Sequence, residues 1–484
     1  MAQKGELMAA PIIRFERISI DNLKNVGHGE VSFSNSRRPE GASVLGMYGQ
    51  NGSGKSTLVD ALQMAQQCMM GRRLDRRFAQ LVSVDADFGI VECELSVRQP
   101  DGSNAYRVVY SFKVKSDVAE LSETEDQPEE GEKFVLLVFD ERLAVANDTP
   151  GKKSRMTTLI DTSGNGAFGP AAKYKQLIGK DSEEGVELTV EKRLAYRESR
   201  SFIFSKKLKQ TIREKNKDEG APSQTVKDAM NALNALERFA AVQMFVLNTR
   251  DVGMLALDAL PFPFRVVGGK KITGGGAILP MSGAQTIPER IYEPVNTAIE
   301  NMNIVLRELI PGLEVSLLKL GAEVMKSGDT GVNVQLVSVR NGKTIPLSCE
   351  SEGIKRIVSF LHLLILMFND PSVTVVIDEI DSGVFEYLLG ELLSIVSEHG
   401  QGQLIFTCHN LRPLETIDRG FIAFTTTNPA KRYARMANVK SSNNLRDFYY
   451  RDIVLGGQKE QLYEPTHNGE IELAFIEAGV TSGE

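Results

Sequence analysis

Apolar positions near the start of the chain fall into two short β-branched runs, IIRFERISI (residues 12–20) and SVLGMY (43–48), and both runs predict strands. The second leads directly into a glycine-rich stretch, after which STLVDALQMAQQCMM carries apolar residues at helical spacing. VECELSVRQ and YRVVYSFKV each alternate apolar with polar, and the turn cluster PDGSN between them predicts an antiparallel hairpin. FVLLVFDERLAV resumes as a strand. From about residue 186 the period becomes helical: SFIFSKKLKQTIREKNK, a break at GAPS, then QTVKDAMNALNALERFAAVQMFVL. Met230, Leu233, Leu236, Ala240 and Met244 recur three or four apart there and predict one buried helix face. GGKKITGGG (268–276) reads as a mobile glycine-rich break. EPVNTAIENMNIVLRELIPGL restores a helix, NVQLVSV and TIPLS read as strands, and VTVVI (373–377) and QLIFT (403–407) are unbroken apolar runs of the kind buried on both faces of a sheet. The chain thus divides into 1–185, a helical insertion at 186–265, the glycine-rich segment 266–290, and 291–484, with no internal repeat.

Composition narrows the class. With 484 residues, 42% of them hydrophobic, the chain is long enough for two or three domains with filled cores. No stretch approaches the roughly 20 apolar residues of a membrane span, and the opening MAQKGELMAAPIIRF lacks a signal peptide's apolar region, so a cytoplasmic protein without membrane contact is expected. Cys68, Cys93, Cys349 and Cys408 are scattered in a way that suggests neither disulfides nor zinc. The net charge of −7 argues against a uniformly basic surface, yet it hides two local runs. Residues 116–132 hold eight acids and no base, which reads as a solvated loop. Residues 192–217 hold ten bases and two acids, a local charge of +8 that includes Lys206, Lys207, Lys209 and Arg213. An exposed helix face and a surface for nucleic acid or an acidic partner both fit that run.

The glycine-rich stretch Gly49-Gln-Asn51-Gly52-Ser-Gly54-Lys55-Ser56-Thr57 matches the phosphate-binding loop GxxxxGK[ST], with a strand before it and a helix after it. Its glycines let backbone N–H groups turn toward phosphate oxygens, Lys55 is placed for the β and γ phosphates, and Ser56 for Mg²⁺. Far along the chain, the strand VTVVI ends in Asp378-Glu379. An acidic pair at the carboxyl end of a buried strand lies where such sheets put ligands, with Asp378 placed to position Mg²⁺ and Glu379 to deprotonate an attacking water. Ser351 and Gly353 open an apolar helix and read either as an ordinary helix start or as a second anion site facing another molecule. His409 follows the strand QLIFT and is placed for a γ-phosphate contact.

The order of these elements resembles the ABC-class ATPase heads of the RecF, SMC and OLD type. GQNGSGKST looks like Walker A, VTVVIDEIDSG like Walker B followed by a D-loop at Asp381, ESEGIKR like the signature motif, and TCHN like the H-switch. The signature departs from LSGGQ in having Glu352 for the first glycine and Ile354 for the glutamine. The resemblance implies an α/β fold: an ABC-type head with a mixed core sheet, an antiparallel β subdomain and a short helical insertion. It also implies ATP hydrolysis with Mg²⁺ and a homodimer or higher homo-oligomer in which Lys55 of one copy and Ser351 and Gly353 of the other hold ATP. In style the chain is similar to stand-alone prokaryotic ATPases of antiphage modules such as PARIS and Septu. That implies a separate nuclease effector and a DNA or phage-encoded trigger; a RecF-like role on DNA is the alternative.

Overall fold

Alternating burial along Ile12–Leu23 (β1) turns one face of the first strand inward, and a tight turn at Lys24 and Asn25 pairs it antiparallel with Val26–Ser32 (β2). The computed structural model describes residues 11–33, 42–98, 105–118, 134–148, 154–179, 182–216, 222–268, 271–325, 328–436 and 444–480. The PDGSN turn, the acidic run from Glu120 onward and Lys217 lie outside them.

Ser43–Tyr48 (β3) is buried along its whole length and delivers the chain to the glycine loop and to helix Lys55–Met69 (α1). Gly89–Arg98 (β4), Ala105–Val118 (β5), Phe134–Asp148 (β6) and Thr157–Asp161 (β7) join the first two strands in an antiparallel sheet of order β2-β1-β4-β5-β6-β7. Helices Ala171–Leu177 (α2), Ser182–Arg197 (α3), Lys206–Lys215 (α4) and Gln224–Val242 (α5) follow.

The helix expected to run through Leu247 stops at Val242, and Met244–Leu247 (β8) is a strand. The run MFVL pairs in parallel with Thr374–Ile377, so Met244 is buried in a sheet and not on a helix face. A short apolar run fits either periodicity, and only the neighbouring strand decides. Helix Thr249–Ala256 (α6) then leads to Ala259–Gly268 (β9) and Lys271–Pro280 (β10). These form an antiparallel ribbon where a mobile break was expected, because Leu260, Phe262, Phe264 and Leu279 alternate along it and are buried. Gln285–Pro288 (β11), helix Glu289–Leu309 (α7), Leu313–Val324 (β12), Thr330–Arg340 (β13) and Lys343–Pro346 (β14) add a four-stranded antiparallel sheet centred on β13.

The last part alternates helix and strand: Glu352–Asn369 (α8), Thr374–Ile377 (β15), Glu386–His399 (α9), Gln403–Thr407 (β16), Pro413–Thr416 (α10), Ile422–Thr425 (β17), Tyr433–Ala434 (β18), Leu445–Leu455 (α11) and Asn468–Val480 (α12). The core sheet has order β18-β17-β3-β16-β15-β8 and is parallel except for β18, so β3 sits between strands from the far end of the chain. This is the mixed α/β architecture. Period-two alternation splits its side chains between two cores. Met47, Val376, Ile405 and Ala423 pack with α1, α5 and the first antiparallel sheet, whereas Val375, Ile377, Leu404 and Phe406 pack with α7, α8 and α9. All four cysteines are unbonded, and Cys68, Cys93 and Cys408 are buried. Among the described residues no helix is long and apolar enough to cross a membrane.

Candidate nucleotide site

The loop after β3 turns through Gly49, Gly52 and Gly54 at φ of 150°, 73° and 96°. Its back is braced by the core sheet's last strands. A Cβ on Gly49 would overlap Thr425 Oγ1, and that same hydroxyl donates to Tyr48 O at 3.3 Å; Tyr433 OH donates to Gly54 O at 2.9 Å. Lys55, the first residue of α1, is buried, and its ammonium donates to Gly49 O (2.8 Å) and Gln50 O (3.0 Å). Burial lowers its pKa, while Asp378, Glu379 and Asp381 oppose that shift. A glycine loop opening a helix with the lysine at its first position is a cradle for phosphate oxygens.

The acidic pair lies across from it, because β15 and β3 both flank β16 in one sheet. Asp378 is buried, and its Oδ1 accepts from Thr407 Oγ1 (2.6 Å) and Ser56 Oγ (3.3 Å). The Thr407 hydroxyl also accepts the N–H of Glu379 (2.7 Å), so one side chain of β16 holds both acids in place. Glu379 has φ of 48°, a left-handed conformation that a non-glycine residue keeps only when its surroundings impose it. Arg356 imposes it from α8: Nη2 donates to Asp378 O (2.7 Å) and Glu379 O (3.1 Å). Its guanidinium is buried, and Nε and Nη1 make no hydrogen bond among the described residues. Burial lowers its pKa against the attraction of Asp251, Asp378, Glu379 and Asp381. Ser56 Oγ beside the Asp378 carboxylate is a hard oxygen pair of the kind Mg²⁺ takes, usually with water and phosphate oxygens completing its shell, so the residues present fit that ion.

Asp381 Oδ2 accepts from the N–H groups of His409 (2.9 Å) and Asn410 (2.7 Å), which ties the end of β16 to the turn after the acidic pair and leaves the His409 ring exposed. An open cavity of about 880 Å³ is lined by residues 51–57 together with Lys24, Asn25, Glu379, Asp381, Ser382 and His409. Asn51, Gly52, Gly54, Lys55, Ser56, Thr57, Glu379, Asp381 and His409 therefore meet in one place, with Gly49 behind the loop and Asp378 against Ser56.

Ser351 and Gly353 do not line that cavity. Ser351 is exposed and caps α8, its Oγ accepting from Ile354 N at 3.4 Å, while Glu352 pairs with Lys355 at 2.6 Å. A Cβ on Gly353 would overlap Gly383 O, so packing within the chain already requires a glycine there.

The basic run is largely consumed internally. Lys207 pairs with Glu187 (2.6 Å) and Lys215 with Glu184 (2.5 Å), Arg213 donates to Asn234 Oδ1 (3.1 Å), and Lys209 is buried against Glu237 (2.5 Å). Of Lys206, Lys207, Lys209 and Arg213, Lys206 alone has no hydrogen-bond or ion-pair partner among the described residues. The local charge of +8 counted only neighbours in sequence; Glu184, Glu187 and Glu237 lie outside that window and are adjacent in space. The cavity also has residues that motif reading missed. Lys24 and Asn25 reach it from the β1-β2 turn, and Arg356 and Thr407 set the acids from behind. An arginine at the edge of the apolar run IVSFLHLLILMF was the available signal for Arg356.

A family model described as "AAA domain, putative AbiEii toxin, Type IV TA system" matches residues 44–414. No protein of curated function matches the chain. Among solved structures, the SMC head bound to the C-winged-helix domain of ScpA is 13% identical, covering 88% of this chain and 98% of that one at a TM-score of 0.42. The SMC head domain from Thermotoga maritima is 15% identical, with 88% and 99% covered and a TM-score of 0.35. The recombination mediator protein RecF is 15% identical, with 83% and 94% covered and a TM-score of 0.32. Each is a loose likeness.

Proposed function

The chain belongs to the family of AAA domains whose model spans its residues 44–414, and on that premise we propose that it binds and hydrolyses ATP between two copies of itself. The observation that carries this reading is a division. One cavity gathers Lys55, Ser56, Glu379 and His409, whereas the exposed helix start at Ser351 stands outside it. In the dimer, Lys55 and the loop amides bind the β and γ phosphates, and Ser56 with Asp378 holds Mg²⁺, which screens phosphate charge when bound. Glu379, turned by its left-handed backbone and fixed through Thr407 and Arg356, takes a proton from the attacking water. His409 contacts the γ phosphate. The partner's Ser351 hydroxyl and the backbone around Gly353 close the far side, so bound ATP joins the copies and hydrolysis releases them.

We also propose that this cycle controls a separate nuclease effector in prokaryotic antiviral defence. The family description, which names a toxin of a toxin–antitoxin system, supports that setting. A role on DNA draws less support, since Lys207 and Lys209 are committed to ion pairs.

Mixing tests the shared site. Ser351→Arg and Lys55→Ala chains are each expected to be inactive, and an equimolar mixture is expected to recover ATPase activity, because half the mixed dimers' sites draw an intact lysine from one chain and an intact serine from the other. A mixture as inactive as its components would refute the shared site.

A further inference from the structure

Helix α12 (Asn468–Val480) carries four large apolar side chains with nothing over them: Ile471, Leu473, Phe475 and Ile476 are 42%, 62%, 77% and 59% exposed. Every described residue from Glu464 to Gly479 is exposed, so the helix buries none of its large apolar side chains against the described part of its own chain. A helix of 13 residues is marginal by itself in water, and one this apolar needs a cover. Its charges are all of one sign, Glu470, Glu472 and Glu477 with no base.

A surface of complementary character lies on the first antiparallel sheet. Between β6 and α3 is a groove of about 1080 Å³ whose lining includes Leu137, Phe139, Val190 and Leu194 among apolar residues and Arg73, Arg193 and Arg197 at its rim. Val190 and Leu194 are 50% and 44% exposed. Arg193 lies three residues after Val190 and Arg197 three after Leu194, both line the same groove, and neither has an ion pair among the described residues. Three of the four carboxylates of α3 are engaged elsewhere, Glu184 with Lys215, Glu187 with Lys207 and Glu191 with Arg200; the fourth, Glu183, lies at the opposite end of the helix from Arg193 and Arg197. Glu141 at the groove floor is buried with its oxygens bound by Tyr110, Ser201 and the N–H of Phe202, which leaves Asp117 as the one exposed carboxylate among the described lining residues. An acidic, apolar helix and a basic, apolar groove therefore coexist on one chain, both exposed among the described residues.

We propose that α12 of one copy seats in the α3 groove of a second copy, joining chains head to tail. Ile471, Phe475 and Ile476 fill the apolar floor, and Glu470 and Glu472 meet Arg193 and Arg197. The contact is heterologous, one surface against a different one, so it propagates into a ring or filament and does not close as a two-fold pair. It involves no residue of the nucleotide cavity and so stands apart from ATP-dependent pairing.

The test uses full-length chain carrying Lys55→Ala, without nucleotide, with mass measured by light scattering after size exclusion in low salt. Assemblies larger than one chain are expected. Phe475→Glu with Ile476→Glu, and separately Arg193→Glu with Arg197→Glu, should each give the mass of one chain with an unchanged melting temperature. An equimolar mixture of these two variants retains one intact helix and one intact groove per pair and should give the mass of two chains and no more. A single-chain mass for the parent, an undiminished assembly in either variant, or a mixture that stays at one chain would each overturn the proposal.

Discussion

The two helix starts that carry the motifs, at α1 and at α8, are built in opposite ways. At α1 the loop is enclosed. Strands β17 and β18 brace its back, the lysine is buried, and two carboxylates face it across the sheet. At α8 the capping serine stands exposed and lines no cavity of its own chain. A helix start surrounded by its own fold is ready for ligand, and one left in solvent gains a function only when something approaches. The contrast teaches that burial separates the two helix starts: the first is already surrounded by charged groups of its own fold, whereas the second carries only its own capping bond at the surface.

That contrast can be tested by how unequally the two sides respond. The largest effect is expected at the enclosed side. Glu379→Gln should lower the ATPase rate by about 10³-fold while leaving ATP bound, since a positioned general base contributes 10² to 10⁴; ATP should then hold the dimer together through size exclusion. A normal rate in that variant would remove Glu379 as the base. Lys55→Ala should weaken nucleotide binding by about 100-fold, the value of a charge-assisted contact to phosphate, as titration calorimetry would read.

The helix α8 is anchored at its middle by a histidine, and acid should loosen that anchor. His362 is buried, stacked 4.1 Å from the Phe262 ring, and donates from Nε2 to Pro263 O; burial lowers its pKa to about 4. A histidine held neutral in the fold is protonated first in the unfolded chain. Its stabilising contribution is therefore whole above about pH 6.5 and lost as pH falls from there toward 4, by roughly 3 kcal/mol. Denaturant melts of His362→Gln should show a flatter acid slope than the parent; identical slopes would mean that other groups set it. The smallest effects are expected at the start of α8. Gly353→Ala, where the added methyl meets Gly383 O, should cost about 1 to 3 kcal/mol of stability. Ser351→Arg, which removes only a long 3.4 Å cap on exposed surface, should cost less, about 0.5 kcal/mol. Equal melting of the two would mean that α8 shifts freely and that its start is not tightly seated.

Much of the fold could be read from the chain because period and punctuation are local properties. The strands β1, β3, β4, β5, β15 and β16 and the helices α1, α7 and α8 fall where alternation, unbroken apolar runs and capping residues put them. Two segments escaped for different reasons. MFVL is too short to express a period and is placed by Thr374–Ile377 far along the chain, whereas the ribbon at 259–280 carries prolines and glycines that read as breaks although its two adjacent strands pair with each other. The basic run escaped differently, since charge counted along the chain omits the glutamates that neutralise it in space.

By itself the sequence determined the chemistry of each half of the site, the loop that bends only with glycine and the acids that end a buried strand, because those are properties of consecutive residues. Only the tertiary structure decided that β16 would stand between those halves and hold Asp378 beside Ser56, and that Ser351 would face outward. Contacts between residues hundreds of positions apart depend on which strands become neighbours, and strand order is settled by packing of the whole sheet against its helices, which no local stretch encodes.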